Sequence, residues 1–125
     1  MDDLGIPTLS LATVQAIVDD QLDDATVNAL VLRSLGFRYD AEQHQWDPAS
    51  AHPEWRDGPI PDFIASRPAI VKLTRAIPPA HKQLLKEVLQ FPGYTIAELT
   101  PRKTRRATAA NWLLSVLQHD STHPT

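Results

Sequence analysis

The sequence predicts a mostly helical α+β domain, with about five helices around one core and a small antiparallel β-hairpin. Three observations predict it. Apolar residues recur three and four apart through most of the chain, the spacing of a helix face. That period gives way to alternation once, just after Gly36. The chain has 125 residues, 42% hydrophobic and 22% charged, which suits one packed core and not a disordered chain.

Leu11, Val14, Ile17, Val18 and Leu22 form one stripe and predict a helix over 10–22, with Ser10 as its N-cap. Asp23 or Asp24 caps a second helix running to Leu35, with Val27, Leu30, Val31 and Leu35 inward. Gly36 ends it, because glycine tolerates the left-handed position after a helix. Phe37-Arg38-Tyr39 and Gln45-Trp46-Asp47 then alternate as the two strands of a hairpin, with Asp40-Ala41-Glu42-Gln43 as the turn.

Residues 48–61 hold Pro48, Pro53, Pro59 and Pro61, which predict a stiff irregular loop pinned to the body by Trp55. Ser66 and Pro68 open a helix through Arg75. Pro78 and Pro79 stop it and start another through Leu89, with Leu84, Leu85 and Val88 inward. Pro92-Gly93 is a turn. Residues 93–99 fit either a short strand or, at Thr95-Ile96-Ala97-Glu98, a capping box; an extended segment added to the hairpin is expected. Thr100 and Pro101 open the last helix, to about Gln118, on the stripe Ala107, Ala110, Leu113, Leu114 and Leu117. Residues 119–125 are expected to be a flexible polar tail, and the whole chain, 1–125, a single domain.

The chain contains no cysteine, so disulfides and thiolate chemistry are excluded. No apolar run approaches the roughly 20 residues of a membrane span, and Met1-Asp2-Asp3-Leu4-Gly5 lacks the basic and apolar parts of a signal peptide. A cytoplasmic location, with no membrane partner, is expected. The net charge of −3 hides an uneven distribution. Residues 1–62 hold 12 acids and 3 bases, while residues 63–125 hold 3 acids and 9 bases. Either the halves neutralise each other on folding, or the basic half meets an anionic partner.

The basic half concentrates its charge in Thr100-Pro101-Arg102-Lys103-Thr104-Arg105-Arg106. A helix N-terminus is already positive, so cations there are locally unfavourable. Arg102, Lys103, Arg105 and Arg106 therefore mark a candidate binding surface for an anionic group or an acidic protein, unless acids of the first half supply their counter-charge. Arg105, Ala109, Trp112 and Val116 form a second stripe on the same helix. Trp112 is either an exposed anchor beside Arg105 or a core residue under a loop.

Two helices followed by a hairpin, over residues 10–47, resemble a winged helix-turn-helix, with Ala25–Leu35 in the place of the recognition helix. The charge opposes a DNA role, because that helix opens with Asp23 and Asp24 and carries only Arg33. The acids Asp19, Asp20, Asp23 and Asp24 lack the spacing of a calcium loop and are expected at a solvated helix corner. His44, His52, His81, His119 and His123 form no zinc spacing, and His81 is expected to be a packing residue. There is no Gly-x-Ser-x-Gly elbow, phosphate loop or dinucleotide fingerprint. No catalytic activity, metal or cofactor is expected.

Three segments carry a family resemblance: Leu35-Gly36-Phe37-Arg38-Tyr39-Asp40, Pro61-Asp62-Phe63-Ile64-Ala65-Ser66-Arg67-Pro68-Ala69, and Pro101-Arg102-Lys103-Thr104-Arg105-Arg106-Ala107-Thr108-Ala109-Ala110-Asn111-Trp112-Leu113-Leu114. Through them the whole chain resembles domain of unknown function 1823, a small family of cyanobacteria and plastid-bearing plants. The resemblance implies a cytosolic or stromal location and no particular reaction. The expected function is a non-catalytic protein-interaction or assembly-factor domain, whose basic helix start meets a protein with an acidic surface. The alternative is a nucleic-acid-binding module, using the winged-helix-like segment 10–47 or the basic cluster 102–106.

Overall fold

The computed structural model describes residues 6–121. Its elements run α1 (Leu11–Val18), α2 (Asp24–Ser34), β1 (Arg38–Asp40), β2 (Gln45–Asp47), α3 (Pro53–Arg56), α4 (Arg67–Arg75), a 3₁₀ turn (Pro79–His81), α5 (Leu84–Leu89) and α6 (Pro101–Ser121). The α+β reading holds. α6 is the central element and packs against α1, α2, α4 and α5. Both of its apolar stripes consequently lie inside: Ala109, Ala110, Leu113 and Leu114 are fully buried, and Trp112 is buried with them. The alanines let neighbouring helices approach closely.

The helix ends follow capping chemistry. Ser10 accepts from the Thr13 N–H and Asp23 from the Thr26 N–H. α1 stops four residues earlier than its apolar stripe suggests, because the chain turns at Asp20, which takes a left-handed φ of 59°. α2 ends in a Schellman motif. The Phe37 N–H donates to the Leu32 carbonyl at 3.0 Å and the Gly36 N–H to the Arg33 carbonyl at 3.1 Å. Gly36 sits at φ +99°, and a Cβ there would lie 2.5 Å from the Ser50 carbonyl oxygen. Phe37 is buried in the core, so the first strand begins at Arg38. The hairpin pairs Tyr39 with Trp46, their rings edge to face at 5.4 Å.

The proline-rich loop is more ordered than expected, since it contains the short helix α3. Trp55 on that helix is buried against Phe63 at 5.3 Å, and the Lys72 ammonium lies 4.2 Å from the Trp55 ring centroid. Asn28 fastens the loop's end: its Nδ2 donates to the Pro61 carbonyl at 3.2 Å, and its Oδ1 accepts the Phe63 N–H at 2.7 Å.

The single helix expected after Pro79 is split into the 3₁₀ turn and α5. Asn111 of α6 bridges the two pieces, accepting the Leu85 N–H at 3.0 Å and donating to the His81 carbonyl at 2.9 Å. His81 is a junction residue, with its Nδ1 2.8 Å from the hydroxyl of buried Ser115.

Residues 93–99 are not a strand. The Thr95 N–H and hydroxyl both donate to Glu98 Oε1, at 3.0 and 2.9 Å, and the Glu98 N–H donates to the Thr95 carbonyl at 2.9 Å, so the segment folds into a turn. Among the described residues the sheet has two strands. α6 continues to Ser121, so the first residues of the expected tail are helical. Residues 122–125, like 1–5, lie outside the described residues, and so does His123.

Candidate functional site at the start of the last helix

Thr100 caps α6, its hydroxyl accepting the Lys103 N–H at 3.1 Å. From there the helix distributes its cations by its own period. Arg102 and Arg106 are four apart and share a face, which meets the corner between α1 and α2. Lys103 and Arg105 leave in other directions.

The corner supplies Asp20 and Asp24. The Nε of Arg102 donates to both Asp24 oxygens, at 3.0 and 2.9 Å, and its Nη2 donates to Asp20 at 3.0 Å. The Arg106 Nη1 donates to Asp24 at 2.7 Å. Its Nη2 donates to the carbonyls of Ile17 and Leu22, at 3.2 and 2.5 Å, and lies 3.4 Å from Asp20. The hydrogen bond from Arg102 holds the Asp20 carboxyl below its usual 3.8, against a smaller opposing effect of desolvation. In return Asp20, then Asp24, raises the pKa of Arg102 further above its ordinary value. Two cations at a positive helix end are thus stabilised by two acids of the α1–α2 corner.

Arg105 reaches the segment before α4 instead. Its Nη1 donates to the Ile64 and Ala65 carbonyls, at 3.0 and 3.2 Å. Lys103 is half-buried, with its ammonium 5.5 Å from the Tyr94 ring centroid. Tyr94 itself donates its hydroxyl to the Val18 carbonyl at 3.1 Å.

The five site residues expected from the sequence therefore do not form one surface. Arg106 has 0% exposure and is an interior staple. Trp112 is buried among the helices and cannot anchor a partner. Arg102 is engaged on both edges of its fork. Lys103 and Arg105 remain near solvent. α2, the recognition-helix counterpart, is buried along Val27 and Ala29–Leu32, with Ala25 exposed and Asp24, Thr26, Asn28, Arg33 and Ser34 half-exposed.

Three further exposed residues are not singled out by the sequence pattern, and two of them, Leu99 and Arg67, share a groove with Arg105. Ile96 is 92% exposed and Leu99 is 56% exposed, both on the Thr95–Glu98 turn or directly after it. Arg67, the first residue of α4, is exposed nearby. Arg67, Leu99 and Arg105 line a groove of about 440 Å³ between α4 and α6. The exposed aliphatics were legible only once the segment was known to be a turn, since a strand would have placed one of them against the hairpin.

No helix among the described residues is long and apolar enough to cross a membrane. Among the same residues, no three of His, Cys, Asp and Glu are grouped to hold a metal ion.

The family model described as "Domain of unknown function (DUF1823)" matches residues 8–118. A protein whose structure was solved by solution NMR is 52% identical, over 92% of this chain and 98% of its own, with a TM-score of 0.80. No curated protein matches the chain.

Proposed function

Because this chain belongs to the DUF1823 family of domains of unknown function, its role has to be read from its surface, and we propose that it is a non-catalytic protein-interaction or assembly domain of the cytoplasm. The contact surface is the Thr95–Leu99 turn with the adjoining start of α6. One observation carries this reading: of the four exposed large aliphatics among the described residues, Leu11 and Ile60 stand singly, while Ile96 and Leu99 lie three apart on one short segment. Isolated exposed aliphatics are common, but a pair on and directly after a turn fixed by the Thr95–Glu98 hydrogen bonds is a preformed knob. Lys103 and Arg105 flank it, which gives an apolar centre with a cationic rim. The cations favour a partner with an acidic surface. The absence of cysteine suits a reducing compartment.

The test is affinity capture from native lysate, with nuclease treatment, using wild type, Ile96→Asp/Leu99→Asp and Glu42→Gln. A protein retained by wild type and by the Glu42 variant on the hairpin turn, and lost by the double variant, supports the surface. Retained material that disappears with nuclease would favour the nucleic-acid reading and overturn this one.

A further inference from the structure

We propose that the groove between α4 and the start of α6 receives a short acidic segment of a partner protein, with one aliphatic side chain set between carboxylates. This rests on the interaction reading above and names the chemistry that one part of the surface selects. The groove's apolar wall is Ile70, Val71, Leu99 and Pro101, and its cationic edges are Arg67 and Arg105. At about 440 Å³ it has the size of a ligand pocket.

The charge state of the edges decides the occupant. Arg102 and Arg106, a turn away, are already matched by Asp20 and Asp24. Arg67 makes no side-chain hydrogen bond or ion pair among the described residues. Arg105 uses only its Nη1, on two carbonyls, so its Nε and Nη2 keep their donors. Among the described residues, no carboxylate pairs with either edge. Asp62, just before Ile64, is held on the Ile64 and Ala65 N–H groups. Two guanidinium forks facing a shared groove match two carboxylates bidentately. The wall between them is aliphatic, which matches leucine or isoleucine.

The same features disfavour other anions. No aromatic ring lines the groove, so bases have no stacking platform. Two cations are too few for the basic cluster that holds an anionic membrane surface.

The test titrates ¹⁵N-labelled full chain with an acetylated and amidated peptide, Asp-Glu-Leu-Glu-Asp. Controls are Asn-Gln-Leu-Gln-Asn, Asp-Glu-Ala-Glu-Asp and an oligothymidine. Saturable amide shifts at Arg67, Val71, Leu99 and Arg105 are expected with the first peptide. Both control peptides should bind about tenfold more weakly, and so should the first peptide to Arg67→Gln/Arg105→Gln. The control peptides keep the test decisive if the double variant is unstable. Absence of saturable shifts, shifts centred elsewhere, or equal binding of oligothymidine would overturn the proposal. If the peptide fails while Ile96→Asp/Leu99→Asp still loses a captured protein, the groove assignment falls and the interaction reading stands. If both fail, both fall.

Discussion

Arg106 Nη1 donates to Asp24 Oδ1 across 2.7 Å, and through that contact the central helix is tied to the first residue of α2. The guanidinium is fully buried, and its other edge serves the Ile17 and Leu22 carbonyls at the end of α1 and the corner beyond it. One side chain thus joins three helices. Arg106→Met roughly keeps the volume but leaves the Leu22 carbonyl without its donor, the Ile17 carbonyl with the Asp20 N–H alone, and Asp24 with one cation fewer. The expected cost is about 3–5 kcal/mol, a drop in midpoint of roughly 10 °C or more for a chain of this size. Arg106→Lys should rescue little, because an ammonium lacks the planar fork that reaches both sides. Thermal unfolding followed by circular dichroism measures this. A loss under 1 kcal/mol would mean that the corner is held by other contacts.

The same corner gives the fold a pH dependence. The Asp20 carboxyl is held below its usual 3.8, chiefly by the hydrogen bond from Arg102. A carboxyl with a lowered folded pKa binds protons more weakly in the fold than in the unfolded chain. Its contribution is therefore fully present above 3.8 and is lost as pH falls through the folded value. The midpoint of wild type should be level near neutrality and fall in acid. Asp20→Asn should start lower and converge on wild type as pH falls. Asp23 and Glu98 are lowered too, by Thr26 and by the Thr95 N–H, so the substitution should flatten the profile only in part. Parallel curves for the two proteins would show that Asp20 is not a source of the pH dependence.

How much of this was readable beforehand depended on whether a feature is local. Ser10, Asp23, Ser66 and Gly36 announce helix ends because a cap is settled within four residues of chain. The hairpin announced itself through alternation in a few residues. The basic cluster could not be sorted that way, because Arg102 and Arg105 look alike in sequence and differ only in what lies opposite. One meets Asp20 and Asp24, about eighty residues back in the chain, and the other meets the Ile64 and Ala65 carbonyls. Trp112 was ambiguous for a related reason. A second apolar stripe on a helix is a surface patch if one side is open and core if the helix is central, and centrality is a property of the whole fold. Residues 93–99 fit two patterns, and the expected extended segment gives way to the turn because Glu98 Oε1 takes both the N–H and the hydroxyl of Thr95.

Gly36→Ala isolates the Schellman motif. The position requires φ +99°, which an L side chain rarely adopts, and the new Cβ would lie 2.5 Å from the Ser50 carbonyl oxygen. That oxygen belongs to backbone next to buried Ala51, so it cannot swing aside as a side chain would. The combined strain should cost about 2–4 kcal/mol. Hydrogen exchange should quicken at Phe37 and Gly36, whose N–H groups close the end of α2. Unchanged stability would mean that the loop at Ser50 shifts freely.

Leu99 and Leu113 separate a contact surface from a core. Leu113 is fully buried on α6, so Leu113→Ala removes packed volume and should cost about 2–5 kcal/mol. Leu99 is 56% exposed and Ile96 is 92% exposed, so the double change Ile96→Thr/Leu99→Gln removes little packing. It also leaves the Thr95–Glu98 hydrogen bonds and the Thr100 cap intact, because neither uses these side chains. Stability should stay within about 0.5 kcal/mol of wild type. Self-association should decrease or stay level, since the change removes apolar surface from solvent. Thermal unfolding of the three proteins, with light scattering, decides the matter. A loss of several kcal/mol in the double variant would place Ile96 and Leu99 in the packing of the fold, and the exposed knob would then be a structural element and not a surface kept for a partner.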